Sequence, residues 1–160
     1  MTISVGETIP DVTLMTPTAD GPQPVQSTDV LGSGRVVLFA VPGAFTPTCS
    51  MKHLPGFVDQ DKALRAKGAD EVVCISVNDA FVMDAWGKSS SAGGKVRMLA
   101  DGNGEFTHAM GLTTDASKFG LGTRSQRYAM IVQDGVIKDL FVEKPGAFEV
   151  SAAENVLKHL

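Results

Sequence analysis

The sequence predicts an α/β fold, a sheet covered by helices, and three observations carry that expectation. Residues 35–41 (RVVLFAV) and 71–77 (EVVCISV) are β-branched runs without polar alternation, the pattern of strands buried on both faces. Between them, from Thr48 to about Lys67, Leu54, Phe57, Val58 and Leu64 recur at roughly helical spacing among polar residues. Residues 129–142 hold two apolar runs joined at Asp134-Gly135, the two-residue signature of a type I′ hairpin.

Each element follows in order. The 35–41 strand leads into the Thr48 helix, which Pro55 and Gly56 are expected to kink or interrupt. After the 71–77 strand, Asn78 or Asp79 can cap a second helix carrying Phe81, Val82, Ala85 and Trp86, which ends in the Ser-Ser-Ser-Ala-Gly-Gly segment. Val96–Ala100 is a short strand, followed by a helical or irregular stretch and then the hairpin. Ser151-Ala-Ala-Glu154 reads as a capping box opening a last helix with Val156, Leu157 and Leu160. This order, β-α-β-α-β, an irregular segment, then β-β-α, is that of a thioredoxin-like fold, a central mixed sheet flanked by helices, here with N-terminal additions.

With 160 residues, 43% of them hydrophobic and 20% charged, the chain is expected to form one domain over 1–160. A net charge of -4 with scattered Lys and Arg argues against nucleic acid as a partner. No basic segment precedes an apolar stretch at the N-terminus, and no apolar run approaches membrane-spanning length. The expectation is a cytoplasmic chain without a membrane partner. Its two cysteines, 25 positions apart and outside any CxxC, suit reactive or buried thiols in a reducing compartment rather than a disulfide scaffold. His53, His108 and His159 lack metal-ligand spacing and read as structural or solvent-facing. Asp101-Gly-Asn-Gly-Glu105 reads as a turn rather than a calcium loop, and Gly32-Ser-Gly34 precedes a strand instead of following one. Neither a metal nor a cofactor is expected.

The chemically informative stretch is Val41-Pro-Gly-Ala-Phe-Thr-Pro-Thr-Cys49-Ser, past the carboxyl end of a buried strand, where open α/β sheets place ligands. Pro47 suits the first helical position with Thr46 as N-cap, which puts Cys49 in the first turn. A free thiol of pKa about 8.5 is only about 3% thiolate at pH 7, whereas one near 6 is about 90% thiolate. That difference requires about 3.4 kcal/mol of anion stabilisation. A helix N-terminus contributes about 0.3 to 1 kcal/mol and at most about 2, so a cation or further hydrogen bonds must supply the rest. Arg124 and Arg127 both precede the 129–133 strand, and spacing does not choose between them. Thiolate attack on a peroxide moves charge from sulfur to the leaving oxygen. An arginine and a hydroxyl donor, for which Thr46 is the natural group, would stabilise that migration, and Pro42 would add a rigid wall without an N–H.

Pro42-x-x-x-Thr46-x-x-Cys49 resembles the peroxiredoxin active-site motif, and the longer Pro-Gly-Ala-Phe-Thr-Pro-Thr-Cys-Ser with Lys52-His-Leu-Pro-Gly-Phe57 resembles the type II, or peroxiredoxin-5, group. The similarity extends through Ser76–Trp86, Leu99–Phe106 and Arg127–Gly135. It implies a thiol peroxidase reducing hydrogen peroxide and alkyl hydroperoxides, with Cys49 as peroxidatic cysteine, Thr46 as peroxide-orienting hydroxyl, Pro42 as shield and Arg127 as activating guanidinium. It further implies no bound cofactor and a homodimer, to which Phe45, Phe81 and Trp86 can contribute. Phe45, Phe81 and Phe119 offer an apolar rim for alkyl hydroperoxides.

Oxidised Cys49 would be a sulfenic acid that must condense with a thiol. Cys74, in mid-strand, suits an inert core thiol. Its position also resembles that of the second cysteine of plant and some bacterial type II members, which implies a resolving disulfide. The animal members' resolving position is Val150 here. An external reductant, glutathione with glutaredoxin, or thioredoxin, is therefore expected to complete the cycle. The rival class is a redox sensor that oxidises at Cys49 without turning over.

Overall fold

A computed structural model describes all 160 residues. Strands β3 (Arg35–Val41) and β4 (Glu71–Ser76) run parallel at the sheet centre, with Phe39 opposite Cys74. β5 (Arg97–Ala100) continues in parallel beyond β4, while β8 (Tyr128–Gln133) pairs antiparallel with the other edge of β3 and with β9 (Val136–Val142). The N-terminal addition is the hairpin β1 (Thr13–Thr18) and β2 (Gly21–Gln26), which extends the sheet past β5 into the order β2-β1-β5-β4-β3-β8-β9. This is the mixed, thioredoxin-like sheet expected. Asp134 and Gly135 both take positive φ, 49° and 83°, as a type I′ turn between β8 and β9 requires.

Both sheet faces are buried, which is why the central strands lack polar alternation. Val37, Phe39, Val41, Val72, Cys74, Ala129 and Ile131 face one core. Against it pack α2 (Leu54–Asp59), α3 (Asp61–Ala66), α4 (Ala80–Ser89) and α6 (Ala153–His159) through Phe57, Leu64, Trp86 and Val156. Val36, Leu38, Val73, Ile75, Tyr128 and Met130 face the other core, covered by α1 (Ser27–Leu31) and α5 (Glu105–Met110). The period of two thus puts Cys74 on the same face as the helix that carries Cys49. No helix is long and apolar enough to cross a membrane.

Two expectations fail locally. Helical structure continues through Pro55 and Gly56, and the break falls at Gln60 (φ −94°, ψ 10°) between α2 and α3. A π-helical turn over Cys49–His53, with Leu54 N–H bonded to the Cys49 carbonyl, widens the chain just before Pro55. That relieves the clash a proline ring makes with the carbonyl four residues back. The Ser151 capping box does not form either. α6 starts after Ala152 without a side-chain cap, and Ser151 instead gives its hydroxyl (2.7 Å) and N–H (2.8 Å) to Glu143 Oε2. A buried carboxylate accepts more strongly than the neutral groups of a helix end donate and accept among themselves.

The segment expected to be helical or irregular also holds a two-stranded ribbon, β6 (Thr113–Asp115) with β7 (Thr123–Ser125). Three-residue polar strands carry no periodic signal. At α4 the cap is Asp79, which accepts from Val82 N–H at 2.9 Å. Asn78 is left for another task.

Candidate active site

The chain leaves β3 at Val41 and turns tightly before the helix. Phe45 sits at φ 65°, unusual for a bulky residue, and Ala44 N–H is tied to Asn78 Oδ1 at 3.0 Å. Asn78 also accepts from Ser76 Oγ at 2.6 Å, so the β4 end holds the loop that follows β3. Pro47 is the first helical residue, and the Thr46 carbonyl accepts from Ser50 N–H at 2.9 Å, the N-cap position expected of it. The Thr46 side chain does not cap; its hydroxyl donates to the Gly43 carbonyl at 2.6 Å. Its proton is committed there, so towards a ligand Thr46 offers lone pairs. The expectation of a hydroxyl donor is reversed: this oxygen is an acceptor.

Cys49 follows in the first turn, buried, and the two arginines separate by their contacts. Arg127 directs Nη2 to Cys49 Sγ at 3.1 Å and Nη1 to His53 Nδ1 at 2.9 Å. It precedes β8 by one residue, in phase with Ala129 and Ile131, and so reaches the helix-covered face. Arg124 in β7 spends Nε on the Leu121 carbonyl (2.9 Å) and reaches the Pro42 carbonyl with Nη1 (3.4 Å), bracing the loop instead. Pro42, Thr48, Phe119, Arg127, Glu143 and Lys144 line one cleft of about 510 Å³.

His53, expected to be structural or solvent-facing rather than a metal ligand, is buried beside Arg127. It is completely buried among Phe39, Phe57 and Phe148, with ring centroids 4.9, 5.6 and 5.0 Å away, and its Nε2 meets the Ser151 carbonyl at 3.1 Å. Burial, and then the Arg127 charge, push its pKa down to about 3. The unfolded chain therefore takes up a proton as pH falls below 6.5 that the folded chain refuses until about 3, and stability must fall across that window. Urea unfolding at pH 5 is expected to show about 2 kcal/mol less stability than at pH 7 from this group. In His53→Gln that difference shrinks; an unchanged pH dependence in the variant would refute the assignment.

Spacing offered one clue to His53: four residues after Cys49, it shares a helix face with the thiol. Glu143, which secures Ser151, gave none. Burial opposes its charge, but hydrogen bonds from the Ser151 hydroxyl, Ser151 N–H and Glu149 N–H outweigh it and hold the carboxyl below its ordinary pKa. Phe148 completes the enclosure, its ring centroid 5.9 Å from the Arg127 guanidinium carbon.

Cys74 is fully buried in β4 between Phe39 and Met98, and both cysteines are free. Burial pushes its thiol well up, and Cys49 adds to the shift. Of the aromatic residues expected at a docking surface or rim, Phe45, Phe81 and Phe119 are exposed. Trp86 is not: 1% exposed, it packs in the core and donates Nε1 to Ser50 Oγ at 3.0 Å, so it cannot serve a surface. Only Phe119 lines the cleft with Arg127; Phe81 lines a separate hollow with Pro22 and Glu105, which removes it from the rim. No cluster of three His, Cys, Asp or Glu side chains is arranged to hold a metal ion.

The Redoxin family model matches residues 4–157. The chain is 50% identical to Peroxiredoxin-2E, chloroplastic, of Arabidopsis thaliana over 99% of its own length and 69% of that protein's. Identity to Peroxiredoxin-2B of the same plant is 46%, over 99% and 98% of the two chains. The crystal structure of reduced Prx3 in complex with hydrogen peroxide, from Vibrio vulnificus, superposes with a TM-score of 0.94 at 50% identity, covering 98% of each chain.

Proposed function

The chain belongs to the Redoxin family and is a peroxiredoxin similar to the plant type II members, a thiol-dependent peroxidase, and from that membership we propose that Cys49 is its peroxidatic nucleophile. The observation that carries the assignment is the Arg127 Nη2 atom 3.1 Å from Cys49 Sγ. The Cys49 thiolate attacks one oxygen of the hydroperoxide. A sulfur–oxygen bond forms, the O–O bond breaks, and its electron pair leaves with the distal oxygen, which is protonated to water or an alcohol. Cys49 becomes a sulfenic acid. Arg127 stabilises the charge as it passes from sulfur to oxygen, Thr46 accepts the peroxide O–H, and Pro42 bounds the pocket without competing as a donor. Hydrogen peroxide in the Vibrio relative supports the substrate class, and a cleft of about 510 Å³ with Phe119 at its margin leaves room for alkyl hydroperoxides.

An external thiol, glutathione with glutaredoxin, or thioredoxin, reduces the sulfenic acid. Complete burial of Cys74 supports this reading, because a Cys49–Cys74 disulfide would need Cα atoms within about 7 Å and an unwound π-turn. The protein works as a single domain over 1–160, in the cytoplasm, as a homodimer whose contact face includes the exposed Phe45 and Phe81. Steady-state peroxide consumption with these reductants tests the scheme. Wild type is expected to turn over, and Cys74→Ser to match it within about twofold. Wild type that consumes no peroxide would overturn the activity at this site; complete loss in Cys74→Ser would overturn the external route alone.

A further inference from the structure

We propose that His53 is a positioning residue for Arg127: the neutral imidazole offers its Nδ1 lone pair to Nη1 and thereby aims Nη2 at the Cys49 sulfur. The inference rests on the reading of Arg127 as the guanidinium that stabilises the reacting thiolate, and it adds His53 to Cys49, Thr46, Pro42 and Arg127.

Donor and acceptor complementarity comes first. The Ser151 carbonyl only accepts, so the imidazole nitrogen 3.1 Å from it, Nε2, must carry the hydrogen. A guanidinium only donates, so the nitrogen 2.9 Å from Arg127 Nη1, which is Nδ1, must carry the lone pair. Both bonds close only for one neutral tautomer. A protonated ring would turn an N–H towards Arg127 and set two cations side by side. The charged groups around the ring are Arg127 and Glu143, with the Cys49 thiol beyond the guanidinium.

The second argument is orientation. A guanidinium presents five N–H bonds in a plane, and a ring stacked against that plane does not select which of them faces a neighbour. Phe148 therefore cannot choose the rotation of Arg127, whereas an acceptor fixed at Nη1 can. The acceptor is itself immobile. His53 is buried among three aromatic rings, so no water competes for Nδ1. Ser151 is pinned by its N–H and hydroxyl to Glu143 Oε2, and Glu143 N–H donates to the Arg127 carbonyl at 2.9 Å. The bonds form a closed ring from the Arg127 side chain through His53, Ser151 and Glu143 to the Arg127 backbone. The direction of Nη2 is thus set by the sheet and the Ser151 segment together.

Two isosteric variants separate positioning from packing. Asparagine puts its Oδ1 near the place of Nδ1 and keeps the acceptor for Arg127; glutamine puts its amide nitrogen near Nε2 and keeps the donor for Ser151 only. His53→Asn is expected to react with hydrogen peroxide within about threefold of wild type, and His53→Gln at least about tenfold more slowly. Equal rates in the two variants, or a faster Gln than Asn variant, would refute the positioning role. A measurement on wild type makes the outcome independent of how the variants fold: long-range ¹H–¹⁵N spectra should show Nδ1 unprotonated and Nε2 protonated. The opposite tautomer, or an imidazolium at pH 7, overturns the inference. Should it fail while Cys49→Ser remains inactive, only the part played by His53 is lost and the assignment of the nucleophile stands.

Discussion

Cys49→Ser is expected to lose peroxide reduction by at least about four orders of magnitude while remaining folded, because removal of the nucleophile deletes the covalent route itself. Serine is close to isosteric with cysteine, and its hydroxyl can still accept from Arg127 Nη2, so the network around the position survives. Cys74 cannot substitute, since it is fully buried in β4 and burial disfavours its thiolate. Stopped-flow fluorescence provides the measurement. Trp86, the single tryptophan, donates to Ser50 Oγ, the residue next to Cys49, so a change at the sulfur reaches the indole through one hydrogen bond. A fast, peroxide-dependent phase in wild type that vanishes in Cys49→Ser is the expected pair of traces. Equal peroxide consumption by the two proteins would remove Cys49 from the mechanism.

Arg127→Gln is expected to slow the reaction with peroxide by about 10²- to 10³-fold, the range found when a preorganised donor to developing charge is removed. Arg127→Lys should lose nearly as much. Two different nitrogens of Arg127 meet His53 Nδ1 (2.9 Å) and Cys49 Sγ (3.1 Å), and a single ammonium lacks the fork that serves both in fixed geometry. Arg124→Gln is the internal comparison. That side chain touches the Leu121 and Pro42 carbonyls, so its loss should cost less than about tenfold through looser placement of the loop. Single-turnover rates with hydrogen peroxide decide the matter: the Arg127 variants should react slowly, and Arg124→Gln should stay within about tenfold of wild type. Equal losses at the two positions would deny Arg127 its particular part.

Much of this is legible in the sequence alone, for reasons visible in individual elements. The apolar runs of β3 and β4 announce strands buried on both faces. Asp134-Gly135 states its turn because few residues accept two successive positive φ values. Cys49 and Thr46 sit in a contiguous proline-punctuated segment whose local geometry places them together. Chain separation hid the rest. His53 reaches Ser151 across 98 positions and Arg127 across 74, and such pairings leave no mark on local composition. Ser151 shows the conflict directly: a local cap signal was real, but the buried Glu143 carboxylate claimed the same hydroxyl.

The sequence by itself determined the sheet with its helical layers, the place of Cys49 and the loop that carries it, because hydrophobic period, turn chemistry and a compact motif act over a few residues. Tertiary structure decided what those residues face. It put Arg127 rather than Arg124 on the sulfur, turned the Thr46 hydroxyl onto the Gly43 carbonyl, buried Trp86 and enclosed His53 beside the guanidinium. These outcomes depend on which buried donor finds which acceptor after distant strands and helices have packed, and leaving such a group unpaired is costly in a desolvated site, so the folded network as a whole selects the partner.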